Sequence, residues 1–203
     1  MKNIFRRFGI YYFILFLSFI TNCVSGQNLD IDILKSINPM YPNSKYWIQT
    51  SASAYWVSGI AVVGSLGYGF LKNDQQIQYN AYELLFNFVV STGITEILKV
   101  SINRERPADK YPAKIFVNGE VHGQSFPSGH TSLAFSTATS LALDYRKWYI
   151  VVPAYLWAGS VGYSRMYLGK HYTSDVLGGA VIGIGSGYLS HWLRKKLFRG
   201  KHT

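Results

Sequence analysis

The chain has 203 residues and a formal net charge of +10; only 15% of its residues are charged, while 16% are aromatic. This composition excludes a disordered tail, a coiled coil and a disulfide scaffold, and the single cysteine, Cys23, permits no intrachain disulfide. A mean hydropathy of +0.06 conceals how unevenly the apolar residues are distributed. The chain opens with Lys2, Arg6 and Arg7, an apolar run over 8–20 and the small residues Val24-Ser25-Gly26. Residues 1–26 therefore read as a secretory signal peptide, cleaved after Gly26. An uncleaved first membrane helix and a lipid anchor on Cys23 are the alternatives.

Residues 27–50 form an external segment, in which apolar residues at 29, 31, 33, 34 and 37 predict a short amphipathic helix on the membrane surface. Five apolar runs follow, at 51–71, 81–100, 130–143, 148–163 and 176–193. The first holds no acidic or basic residue over a length that crosses about 30 Å of hydrocarbon. The pattern predicts an all-α, membrane-embedded bundle of about five transmembrane helices over 51–193, rather than a soluble helical bundle. Gly178, Gly179, Gly183, Gly185 and Gly187 read as a close-packing face of the last helix. Residues 194–203 form a basic tail.

An external residue 27 puts the loops after the second and fourth runs outside and the tail in the cytoplasm. Inside loops and tail then carry 8 Lys and Arg, against 7 in the outside loops with Lys99. Such basic external loops exceed what orientation alone requires, so their cations need an anionic partner.

Three clusters on that face carry chemistry. Lys99 and Arg106 are seven residues apart, close to two helical turns, and Pro107 ends the helix about there. Pro127-Ser128-Gly129-His130 opens an apolar helix. Ser128 is placed to cap it, Gly129 lets a ligand reach the backbone, and His130 is poised for proton transfer. In Ser164-Arg165-x5-His171-x3-Asp175, the i, i+4 spacing brings imidazole and carboxylate together, and Arg165 supplies a planar fork for phosphate oxygens. Singly, each cluster has an ordinary structural explanation: a snorkelling lysine, a helix start, a structural His–Asp pair.

Together, Lys99, Arg106, Ser128, Gly129, His130, Arg165, His171 and Asp175 closely resemble, in order and spacing, the motifs of the type 2 phosphatidic acid phosphatase superfamily. The resemblance covers about 51–193, with Thr173 standing where relatives frequently have Pro. It implies a metal-independent and cofactor-free phosphatase. His171 would attack phosphorus and Asp175 would orient it; His130 would protonate the leaving oxygen; Lys99, Arg106, Ser128, Gly129 and Arg165 would hold the phosphoryl oxygens. Asp32-Ile33-Leu34-Lys35 and Trp157-Ala158-Gly159-Ser160-Val161-Gly162-Tyr163-Ser164-Arg165 add a likeness to the short envelope phosphatases that act on the 4′-phosphate of lipid A. That likeness implies a lipid phosphate substrate in the bacterial inner membrane, reached from the periplasmic face. Undecaprenyl diphosphate, phosphatidylglycerophosphate and phosphatidic acid stay open as substrates, and the oligomeric state is not legible.

Two smaller expectations concern the site's surroundings. Asn118-Gly119 between β-formers predicts a hairpin or loop over the site within 108–126, with Lys110, Lys114 and His122 on it. Glu96 is expected to pair with a basic neighbour. A vanadium haloperoxidase would use the same anion pocket but is soluble in relatives. A nucleic-acid partner would require one basic stripe, whereas here the cations alternate with apolar runs. A channel or transporter would place ionisable groups at the bilayer middle.

Overall fold

A computed structural model describes residues 27–198 of the chain. The predicted signal peptide, Cys23 and residues 199–203 of the predicted tail lie outside the described residues. The elements in order are α1 (Gln27–Ile37), α2 (Lys45–Leu71), α3 (Gln75–Ile102), α4 (Pro107–Lys110), α5 (Gly129–Tyr145), α6 (Trp148–Tyr167) and α7 (Thr173–Phe198). All are helical, and the described residues contain no strand.

Length and composition make α2, α3 and α7 capable of crossing a membrane. Their outer faces expose large apolar side chains, among them Val63 and Leu71 on α2, Val89 and Ile97 on α3, and Leu177 and Leu189 on α7, which suit lipid better than water. The helices α5 and α6 fall short of that standard. Seventeen residues carry α5 only about 26 Å, and it lies centrally, packed by α3, α6 and α7. Five helices thus build the bundle, three of them apolar and long enough to span.

The sequence of α5 explains its place. Ser, Thr and Ala dominate it, and Ser132, Ala134, Ser136, Ala138 and Ser140 are fully buried. Small side chains let neighbours approach, and hydroxyls then bond across the gap, as helices in lipid require. Ser132 meets Ser91 of α3 at 2.7 Å, Thr137 meets Ser58 of α2 at 2.7 Å, and Asn87 donates to the Ser136 carbonyl at 2.8 Å. On α7, a Cβ at Gly183 would stand 2.3 Å from the Ser132 carbonyl oxygen, and one at Gly179 would stand 2.6 Å from that of Ser128. The predicted glycine face is therefore real at 179, 183 and 187. Gly178 instead faces Phe126, and Gly185 borders open space.

One of the smaller expectations is overturned and two are sharpened. First, the predicted helix α1 packs one mixed face, apolar and acidic, on the bundle. Leu29 and Ile33 are exposed, whereas Asp30, Ile31, Leu34 and the following Asn38 are buried against the bundle. Second, no hairpin forms in 108–126. The Asn118-Gly119 turn is present, with Gly119 at φ +69°, but Asn38 takes the backbone bonds a second strand would need. Its side chain accepts from Phe116 N at 2.8 Å and donates to Phe116 O at 2.8 Å and Tyr167 O at 2.9 Å. Third, α7 continues through Arg194, Lys195 and Lys196, so the start of the predicted tail is helix.

Candidate active site

The ends of α3 and α6 and the starts of α5 and α7 converge with the loop 108–126 on one side of the bundle. Between them is a cavity of about 140 Å³, lined by Lys99, Arg106, Gly129, His130, Arg165 and His171, with Tyr55, Phe88, Thr92, Thr95, Glu96 and Leu133. Six of the eight sequence-predicted residues line it. Ser128 and Asp175, both fully buried, stand behind it.

The cations reach the cavity by different routes. Asn103 caps α3 in the left-handed region, at φ 47°, so the helix ends before Arg106 rather than at Pro107. Lys99 projects from the last turn, and its ammonium lies 3.9 Å from where a Cβ on Gly129 would be. Glu96 pairs with it at 3.0 Å from an exposed position, the basic neighbour anticipated from sequence. Arg106 returns on extended chain, buried, and donates to the carbonyls of Gly123 (3.0 Å), Lys170 (2.9 Å) and His122 (2.9 Å). A guanidinium has five N–H donors, so donors remain on Arg106 for an anion. Arg165, also buried, donates to Ser51 Oγ at 2.6 Å, while its Nε–H has no partner. Thr95, on the cavity wall, likewise has a buried hydroxyl without a partner. Orphaned buried donors are costly unless a ligand satisfies them. An oxyanion would satisfy both.

Ser128 occupies the N-cap position of α5, but its hydroxyl meets that of Thr131 at 2.8 Å instead of a backbone N–H. Ser128 N donates to the Asp175 carbonyl at 3.0 Å. The first-turn amides of α5 thus stay available at the positive end of its dipole. The His130 ring stacks edge-on to Tyr55, with centroids 4.7 Å apart.

His171 sits on the short connection between α6 and α7. Its Nδ1 is 2.8 Å from the Ser125 carbonyl oxygen and 3.5 Å from Asp175 Oδ2. A carbonyl only accepts, so Nδ1 carries the hydrogen and Nε2 keeps a free lone pair. The fixing contact is therefore the Ser125 carbonyl, with Asp175 the nearby countercharge. Burial pulls His171 down to about 4; Asp175 opposes the shift, and Arg165 and Arg106 reinforce it. The ring is neutral at physiological pH. Next to it, Lys170 is lowered by burial and by the same two arginines.

Sequence reasoning missed Arg104, Asp30, Ser125 and Tyr55. Arg104 donates to Asp175 Oδ1 at 2.6 Å and Asp30 Oδ2 at 2.8 Å. Ser125 Oγ donates to Asp175 Oδ2 at 2.5 Å. Lys114 lies 5.9 Å from the Tyr111 ring centroid and Lys110 5.7 Å. His122 is exposed beside Glu120.

A bundle of apolar helices with a cation-lined oxyanion pocket and a fixed neutral histidine defines a class, and the comparisons agree with it. The chain belongs to the PAP2 superfamily, whose family model matches residues 80–199. It is 29% identical over 186 residues to a lipid A 4′-phosphatase of Bacteroides thetaiotaomicron, spanning 84% of this chain and 79% of that one. It is 44% identical over 78 residues to a lipid A 1-phosphatase of Porphyromonas gingivalis, a match covering 37% of this chain and only 17% of that longer protein. The crystal structure of Aquifex aeolicus LpxE superposes with a TM-score of 0.65 at 29% identity, over 81% of this chain and 95% of that one.

Proposed function

We propose that the chain is a membrane lipid phosphatase that removes the 4′-phosphate of lipid A at the periplasmic face, through a phosphohistidine on His171. The observation that carries this reading is the single cavity in which Lys99, Arg106 and Arg165 surround a neutral histidine whose Nε2 lone pair is free. The breadth of similarity to the Bacteroides 4′-phosphatase supports the choice of phosphate. The basic external loops support the face.

In the first step the phosphoryl oxygens lie among Lys99, Arg106, Arg165 and the Gly129 N–H. Nε2 of His171 forms the bond to phosphorus as the bond to the sugar oxygen breaks, and His130, protonated once a phosphate dianion is present, gives that oxygen its proton. In the second step His130 takes a proton from water, whose oxygen displaces Nε2, and inorganic phosphate leaves. Phosphoryl transfer asks mainly for positioning and charge stabilisation, which three fixed cations and a helix N-terminus supply without a metal ion.

The test is incubation of the purified protein, in detergent micelles, with lipid A carrying both phosphates. Mass spectrometry with fragmentation should find the 4′-phosphate lost and the 1-phosphate kept. Loss of the 1-phosphate, or hydrolysis of undecaprenyl diphosphate alone, would overturn the substrate assignment.

A further inference from the structure

Behind the cavity a chain of charges leads away from His171 to the N-terminal helix. Asp175 is fully buried, and both of its oxygens are occupied. Oδ1 accepts from Arg104, and Oδ2 accepts from Ser125 Oγ and from Tyr172 N at 2.9 Å. Arg104 is stacked 3.9 Å over the Tyr172 ring, and its second terminal nitrogen reaches Asp30 of α1. Asp30, also buried, accepts from Ser174 N at 2.9 Å and from the Ser174 hydroxyl, which itself accepts from Arg104 at 2.6 Å. Asp30 is 50 residues upstream of the matched family span.

The charge sum explains the third member. When Nε2 of His171 bonds phosphorus and Nδ1 keeps its hydrogen, the ring becomes cationic. Arg106, Arg165 and Lys170 face or neighbour that ring, and each opposes the new positive charge; His130, which has given up its proton in the same step, adds none. Asp175 is the compensating anion, but its ion pair with Arg104 alone is neutral. Asp30 makes the trio net negative again, while Arg104 fixes the carboxylate's position. A buried acid beside Ile31 and Leu34 on the inward face of α1 is expensive to keep, and here it is bonded to Arg104 and Ser174, next to Asp175.

We infer that Asp30 and Arg104 are positioning residues of the phosphatase site, holding Asp175 in place and keeping the group behind His171 net negative. The inference rests on the phosphatase reading. In full-length protein with lipid A in mixed micelles, Asp30→Asn should lower kcat roughly tenfold to a hundredfold with KM within about twofold, as the loss of an orienting partner does elsewhere. Arg104→Gln should act in the same direction. In an Asp175→Asn background, Asp30→Asn should cost nothing more, because its effect passes through Asp175; a purely structural role would multiply. Ser174→Ala, which removes one hydroxyl only, should give a smaller loss of the same kind and keeps the test open if Asp30→Asn folds poorly. Independently of turnover, the imidazole ¹⁵N resonances of His171, assigned by their loss in His171→Ala, should shift in Asp30→Asn. Unchanged kcat, an equal loss in the Asp175→Asn background, or unmoved His171 resonances would each overturn the inference. An inactive wild type whose His171 resonances still respond to Asp30→Asn would instead strike the phosphatase reading and leave the linkage standing.

Discussion

The two ends of this bundle use the same residue types to opposite effect. Near the cytoplasmic end of the proposed topology, about 24 Å along α3 from Lys99, Glu83, Asp144, His191 and Arg194 form a buried cluster. Arg194 donates to Glu83 through Nε and to Asp144 at 2.7 Å, and lies 3.1 Å from His191 Nδ1. Two carboxylates there outnumber one arginine, and the guanidinium fills the space between them. At the other end, cations outnumber carboxylates on the wall of an open cavity, and two of its buried donors lack partners. A histidine, an aspartate and an arginine do not make a site by proximity. What separates the ends is the partner of each charge: at the far end an arginine bonds both carboxylates directly, whereas Arg106 and Arg165 at the cavity bond carbonyls and a hydroxyl, which leaves their charge for a ligand. Glu83, Asp144 and His191 have the spacing of a metal site, and Arg194 lies among them as one countercharge to the two carboxylates.

That contrast can be broken by substitution. His171→Ala should reduce kcat by about 10⁴-fold or more, as loss of an attacking group does, whereas His191→Ala should leave kcat within about threefold. Equal losses would erase the distinction between the ends. Next in size, Arg165→Lys should cost roughly 10²-fold to 10³-fold in kcat/KM, since an ammonium cannot reproduce the fork between Ser51 and a phosphate. The rate of lipid A hydrolysis reads both.

At the far end the currency is stability. Arg194→Ala leaves Glu83 and Asp144 buried without their countercharge, a loss of about 3–5 kcal/mol for a broken buried pair. The thermal midpoint in detergent should fall by several degrees while the kcat of surviving enzyme stays near wild type. A lowered kcat at an unchanged midpoint would reverse the roles assigned to the two ends.

The sequence showed the site more fully than its support. Within each of the three clusters the motif residues keep fixed local spacings, so their gathering around one cavity was legible from the chain and its family resemblance, as were the helical runs and the glycine face at 179 and 183. Arg104, Asp30 and Ser125 were not, because their contacts join positions 46 to 144 residues apart. One local sign existed: Asp30 stands beside Ile31 and four residues before Leu34, an acid within the buried stripe. The hairpin failed for a similar reason. Asn118-Gly119 does turn the chain, but a distant carboxamide, Asn38, captured the backbone that a local strand would have paired.

A finer effect concerns pH. With His171 held to about 4, its folded value lies below that of a free imidazole, so the neutral form persists as pH falls and is lost only on passing through that value. An NMR titration of phosphate-free protein should show the His171 ring still neutral at pH 5.5, about one unit below the usual histidine value. Half-protonation near pH 6.5 would mean that the arginines and burial do not act on it as described.

The most direct measurement is a rapid acid-free quench of the enzyme during turnover of ³²P-labelled lipid A. The account predicts a label on protein that survives alkali, is released by mild acid, maps to the peptide containing His171, and disappears in His171→Ala. Turnover without a labelled protein intermediate at any quench time, or label retained in His171→Ala, would contradict it.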